Sequence, residues 1–161
     1  MDRDIGLECY RCFDWRNIIQ RRMGVECAGN MCSKFRQSLE IEKKAKSGNA
    51  AAQYKIAEES GSFKWYRKAA EQGHPQAQYE LGYYYSVGWP LVFMSKNMTE
   101  AVNWWRKAAE RGHAKAQYEL GRCYSNGNGV EKDMTEAVKW YQKAAEQGHK
   151  GAKKALQKLQ S

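Results

Sequence analysis

The stretch Ala101–Val138, AVNWWRKAAERGHAKAQYELGRCYSNGNGVEKDMTEAV, decides the fold. Ala101, Trp104, Trp105 and Ala108 fall at i, i+3, i+4 and i+7, which is one apolar stripe along a helix. Asn97 and Glu100 have the spacing of a capping box and predict where that helix starts. Gly112 stands where a left-handed residue would end it. A second helix follows, with Ala116, Leu120, Cys123 and Tyr124 on one face. Gly121 removes a side chain on that helix and allows a neighbouring helix to approach closely. Ser125-Asn126-Gly127-Asn128-Gly129 then stops the helix with residues that tolerate positive φ.

The same pattern recurs on both sides. Lys64–His74 reads KWYRKAAEQGH and Lys139–His149 reads KWYQKAAEQGH, against NWWRKAAERGH at Asn103–His113. Ala69, Ala108 and Ala144 mark equivalent positions, 39 and 36 residues apart. The second unit recurs too, as Ala77-Gln78-Tyr79-Glu80-Leu81-Gly82 and Ala116-Gln117-Tyr118-Glu119-Leu120-Gly121. Ala137, Trp140, Tyr141 and Ala144 rebuild the apolar stripe, Asp133 with Glu136 the cap, and Gly73 and Gly148 the stop. A period in the thirties is the size of a two-helix solenoid unit.

These residues resemble the Sel1-like repeat, a relative of the tetratricopeptide repeat. Ala101, Trp104, Trp105, Lys107-Ala108-Ala109, Gly112, Ala116, Leu120-Gly121, Tyr124 and Gly127-x-Gly129-Val130 carry the resemblance, which covers about residues 35 to 160. It implies an all-α fold: an antiparallel helix-turn-helix solenoid of about three repeats that scaffolds protein complexes, commonly in signalling, secretion or quality control. Members of the family are usually not enzymes. The chain divides on this reading into a Cys-containing segment, 1–32, and the repeat array, 33–161, closed by a capping helix from Lys150 to Gln160.

Two places depart from the pattern. Ala52-Gln53-Tyr54 lies only 25 residues before Ala77-Gln78-Tyr79, so the first unit is eleven residues short of the 36-residue one. Glu59-Ser60-Gly61-Ser62 must make a short connection, and residues 35 to 63 form either a degenerate N-terminal cap or a loosely packed remnant. In the middle unit Ser86–Met94, SVGWPLVFM, replaces the polar turn. Its Trp89, Leu91, Val92, Phe93 and Met94 are apolar where water normally faces the chain. They fold back over a neighbouring helix, form an exposed anchor for a partner, or touch a membrane.

Cys9, Cys12, Cys27 and Cys32 give C-x2-C-x14-C-x4-C, the outline of a structural zinc site in which four thiolates close a tetrahedron. The x4 spacing of the second pair is irregular. Ordinary thiols and disulfides are the competing readings, so zinc is an alternative to no cofactor at all. Cys123 reads as a buried packing thiol. His74, His113 and His149 occupy one repeat position and read as turn residues. No catalytic Ser/His/Asp order, phosphate-cradling glycine loop or paired metal-ligand histidine motif is found.

Net charge is +9, but most of the basic residues alternate with Glu, as on a solvated helix face. No recognition-helix or stacking-strand signature accompanies that charge, which argues against nucleic acid and for a protein partner, an acidic one. No run approaches the length of a membrane span. The N-terminus lacks the basic-then-apolar order of a secretory signal, so the chain reads as cytoplasmic, with export as the alternative. Tyr83-Tyr84-Tyr85 spans three directions of a helix, so at least one tyrosine must face groove or solvent. Tyr79, Tyr118, Gln78 and Gln117 recur on the second helices and are expected to line the concave face. With Trp89, Leu91, Phe93 and Met94 they are the candidate partner-binding residues. The expected function is protein–protein scaffolding. A host-directed bacterial factor or toxin-immunity inhibitor, and a zinc- or redox-responsive regulator, are the alternatives.

Overall fold

A computed structural model describes the main chain of residues 30–88 and 95–160, with side chains from 36 onward and up to 159. Eight α-helices follow one another, and the described residues contain no strand. They are α1 (Asn30–Lys46), α2 (Ala50–Ser60), α3 (Phe63–Glu71), α4 (Pro75–Val87), α5 (Met98–Glu110), α6 (Ala114–Asn126), α7 (Met134–Glu146) and α8 (Lys150–Gln160). From α2 to α8 each helix packs against the next. The all-α solenoid expected from the repeats is therefore the observed fold, and Lys150–Gln160 is its last helix.

Three apolar clusters fill the array. Ala69, Ala70, Ala77 and Leu81 form the first, and Ala101, Val102, Trp105, Ala108, Ala109, Ala116, Leu120 and Cys123 the second. Ala137, Tyr141, Ala144 and Ala152 form the third, with Ala155 and Leu156 of α8 packed against it. Alanine dominates because the helices approach closely. At Gly82 and Gly121 even a methyl group is too large: an added Cβ would sit 2.5 Å from the Trp105 ring and 2.6 Å from the Tyr141 ring. Buried rings thus occupy the volume that glycine vacates on the neighbouring helix.

Helix starts follow the predicted chemistry. Asn97 Oδ1 accepts from Glu100 N at 3.1 Å, and Asp133 Oδ1 accepts from Thr135 N and Glu136 N at 2.8 and 3.0 Å. These bonds satisfy amides that have no partner within the helix. The shortened first unit is a genuine helix pair, with Ala52, Gln53 and Ala57 of α2 buried and Tyr54 and Phe63 packed on the first cluster. Cys123 is buried in the second cluster, where desolvation pushes its thiol up to about 11. Among Tyr83, Tyr84 and Tyr85, the first is 48% exposed and the other two are half-buried.

Candidate functional site

The repeat is held by one joint, built in the same way at each unit boundary. At the end of α3, Gly73 takes φ 85°, a conformation that glycine adopts without strain. Gly73 N then donates to Ala70 O and His74 N to Ala69 O, which closes the helix with a Schellman pair. His74 also starts α4: its Nδ1 accepts from Ala77 N at 3.3 Å. His113 and His149 do the same for α6 and α8, accepting from Ala116 N and Ala152 N at 3.2 Å each. The three histidines are therefore turn residues with a specific task, as the C″ residue of one helix and the N-cap of the next.

Each ring is held from its other side by the recurrent tyrosine of its own unit. Tyr54 stacks on His74 with ring centres 4.6 Å apart, Tyr79 on His113 at 4.9 Å, and Tyr118 on His149 at 4.5 Å. Because Nδ1 accepts a main-chain N–H, the ring is neutral and Nε2 carries the proton. His113 Nε2 then donates to Gln76 Oε1 at 2.7 Å. Burial lowers the affinity of His74 and His113 for a further proton, with the Lys115 charge adding to the effect at His113. Burial also pushes the Tyr54 hydroxyl up to about 12.

The recurrent glutamines fasten the joint. Gln53, Gln78 and Gln117 are buried, and each Nε2 donates to the carbonyl of Ala45, Ala70 or Ala109 in the preceding helix, at 3.0 to 3.1 Å. Two of the amides are satisfied at their oxygens as well. Gln72 Nε2 donates to Gln53 Oε1 at 3.3 Å, and Gln147 Nε2 to Gln117 Oε1 at 2.7 Å. The middle unit carries Arg111 at that position instead, and Gln78 Oε1 is buried without a hydrogen-bond partner among the described residues. Gln78 and Gln117 were expected on an open concave face. They are enclosed instead, because an amide that ties two helices together has to lie between them.

A second recurrence faces solvent. Trp65, Trp104 and Trp140 are half-buried and hold the same position in α3, α5 and α7. An exposed lysine lies over each ring: Lys68 at 4.8 Å from the Trp65 ring centre, Lys107 at 4.1 Å from Trp104, and Lys143 at 4.3 Å from Trp140. The apolar stripe placed Trp104 and Trp140 in the core. Trp104 does pack on the first cluster and Trp140 on the second, but each residue stays partly exposed beside its lysine. The signal in the sequence was the W-x-x-K spacing, which puts the cation one helical turn beyond the ring. Among the described residues none of these lysines has a carboxylate partner.

Trp89, Leu91, Phe93 and Met94 lie outside the described residues, as do Cys9, Cys12 and Cys27. Cys32 falls within α1, with its side chain outside the described set. Among the described residues no group of three or more His, Cys, Asp or Glu could hold a metal ion. No described helix is long and apolar enough to cross a membrane.

Close-packed helix pairs, a joint repeated at each boundary and a periodic surface define an α-solenoid repeat protein. The Sel1 repeat model matches residues 50–74, 75–113 and 114–149, which span the helix pairs α2–α3, α4–α5 and α6–α7 with their joints. The chain belongs to the Sel1 repeat family. It is similar to a Sel1 repeat protein from Oxalobacter formigenes, at 38% identity and a TM-score of 0.70, over 76% of this chain and 98% of that one. It also resembles a protective antigen of uropathogenic Escherichia coli that displays an SLR fold, at 37% identity and a TM-score of 0.62. That match covers 71% of this chain and 26% of the antigen. Cysteine-rich protein B of Helicobacter pylori shares the fold at 20% identity, with a TM-score of 0.54, over 71% of this chain and 93% of that one. No curated protein matches the chain.

Proposed function

We propose that this chain is a cytoplasmic scaffold that binds a partner protein, an acidic one, across the faces of its repeats. The observation that carries this reading is the recurrence of a half-buried tryptophan under an unpaired lysine in α3, α5 and α7. A core needs the ring, but it does not need the lysine. Partly exposed tryptophans beside free cations, repeated on a rigid frame, suit a partner that offers carboxylates and apolar side chains. The joints order this frame in advance, so little entropy is lost on binding. The apolar stretch of Trp89, Leu91, Phe93 and Met94 is a second contact on this reading, and the half-buried Tyr79 and Tyr118 flank the first.

Affinity capture from the chain's own cells, with Lys68→Glu, Lys107→Glu and Lys143→Glu combined, tests it. The three lysines are exposed, so helicity measured by circular dichroism should persist while the partner is lost. A partner held equally well by the folded variant would overturn the assignment to this face. The Trp89→Ala, Phe93→Ala pair provides the same comparison for the apolar stretch. The likeness to a protective antigen favours a second reading, a host-directed factor. A partner found only outside the producing cell would carry that reading.

A further inference from the structure

The three units repeat one amide relay, and the middle one breaks it. Gln72 and Gln147 each donate to the buried glutamine of their own unit. Arg111, at the equivalent position, does not donate to Gln78. Its guanidinium lies against Gly73 of the preceding joint, and among the described residues it has neither a hydrogen bond nor an ion pair. Beside it is an open cavity of about 630 Å³ between the C-terminal end of α3, α4 and α5. Gln78, Trp104, Lys107 and Arg111 line it together with Glu71 and Glu110. Glu71 is held by Arg67 at 2.9 Å, so Arg111 and Lys107, neither with a carboxylate partner among the described residues, stand beside one such unpaired carboxylate, Glu110.

A buried carbonyl oxygen without a donor has lost its water and gained nothing in return. Gln78 is 3% exposed and its Oε1 has no donor among the described residues. The cavity volume lies in the ordinary range of ligand pockets, about 300–1,000 Å³. A ligand that completes this site must bring an N–H for Gln78 Oε1, a negative charge for Arg111 and Lys107, and an apolar group for the part of the Trp104 ring that Lys107 leaves uncovered. An extended peptide backbone carrying Asp or Glu beside an aliphatic residue brings all three.

We propose that the cavity between α3, α4 and α5 is a recognition site for an extended acidic peptide segment, anchored by Gln78, Arg111 and Lys107 against Trp104. The proposal rests on the partner-binding reading and names what the partner inserts. Arg111 turns from Gly73 toward the incoming carboxylate, and this movement opens the path to Gln78 Oε1. The peptide N–H then takes the place that Gln72 and Gln147 fill in the other units.

The probe is a capped hexapeptide of alternating Asp and Leu, titrated into the isotope-labelled full chain, with the Asn/Leu peptide as control. NMR should show the Gln78 side-chain amide and the Trp104 indole N–H moving together. The Asn/Leu peptide should bind at least about ten-fold more weakly, because it keeps the backbone N–H and loses the charge. Arg111→Gln restores the residue found in the other two units. It should pair with Gln78 Oε1, raise the melting temperature and abolish peptide binding, and Lys107→Gln should weaken binding in the same direction. The site is overturned by shifts at neither reporter, by equal binding of the two peptides, or by an Arg111→Gln chain that binds like wild type. An Arg111 guanidinium already hydrogen-bonded to Gln78 in the free protein also overturns it. A negative titration of a chain that still captures its partner refutes this site and leaves the scaffold reading standing.

Discussion

The first repeat unit and the last one differ in helix length, outer turn and cap but share the joint. The last joins a 13-residue helix to a 13-residue helix across the seven residues Gly127–Asp133. The first joins helices of 11 and 9 residues across Gly61 and Ser62 alone. Asp133 caps its helix with two hydrogen bonds, whereas the Ser62 side chain makes none. At the joint itself the unit that precedes α2 carries Gly48-Asn49 in place of glycine-histidine. Asn49 Oδ1 accepts from Ala52 N at 2.9 Å, and Gln53 fastens Ala45 O as its counterparts do. The outer turn is therefore dispensable and the inter-unit joint is not. A turn satisfies local amides that water can also satisfy, while a joint satisfies groups that packing has dried.

The largest effect that separates the units is steric. Gly82 and Gly121 leave room for Trp105 and Tyr141, whereas the first unit carries a buried Ala57 at the same position, opposite Tyr66. Gly121→Ala should cost about 1–3 kcal/mol, although the same change in an open helix would stabilise. Ala57→Gly should cost about 1 kcal/mol or less by backbone entropy. Chemical denaturation of the two variants reads both numbers. Equal and small costs would mean that the helix pairs of the first and last units pack alike, and the contrast would fail.

A smaller effect follows at the caps. Asp133→Ala removes the acceptor for two main-chain amides and should cost about 1 kcal/mol. Ser62→Ala removes no such bond and should stay within about 0.5 kcal/mol. Amide hydrogen exchange in the first turn of α7 should quicken in the Asp133→Ala variant. A comparable loss from Ser62→Ala would show that the short turn has a cap of its own.

Most of the fold was legible because it is written in spacing. Stripes at i, i+3, i+4 and i+7, the glycine stops and the Asn97 and Asp133 caps need nothing beyond local chemistry. The sites were less legible, for a physical reason in each case. Gln78 and Gln117 are polar, and pattern alone assigns polar residues to the surface. Only the drying of the joint reveals that their amides tie helix to helix. His113 was read as a turn residue, and its capping role could have been found, since it recurs directly before a helix and carries an acceptor nitrogen. The empty acceptor at Gln78 could not have been found from one unit. It emerges when Arg111 is set beside Gln72 and Gln147 and their bonds are compared in space.

The smallest expected effect concerns pH, and it turns the joint's own variation into a control. Burial holds the His74 and His113 rings below their usual value of 6.5. The unfolded chain therefore binds protons more readily than the folded one between that value and the lower folded one. Stability is fully present above about pH 6.5 and declines as pH falls through the window below it. The physical cause is first the burial of the ring, which disfavours the charged form, and a proton on Nδ1 also removes the acceptor used by Ala77 N or Ala116 N. The denaturation midpoint should fall between pH about 7.5 and pH about 5.5. His113→Asn imports the cap that Asn49 already provides before α2, so it keeps an acceptor oxygen that does not titrate. That variant should lose part of the pH dependence and, at neutral pH, only the contributions of the Tyr79 stack and of the hydrogen bond from Nε2 to Gln76 Oε1. An unchanged slope in the variant would place the pH response elsewhere and leave the histidine joint no different in kind from the asparagine one.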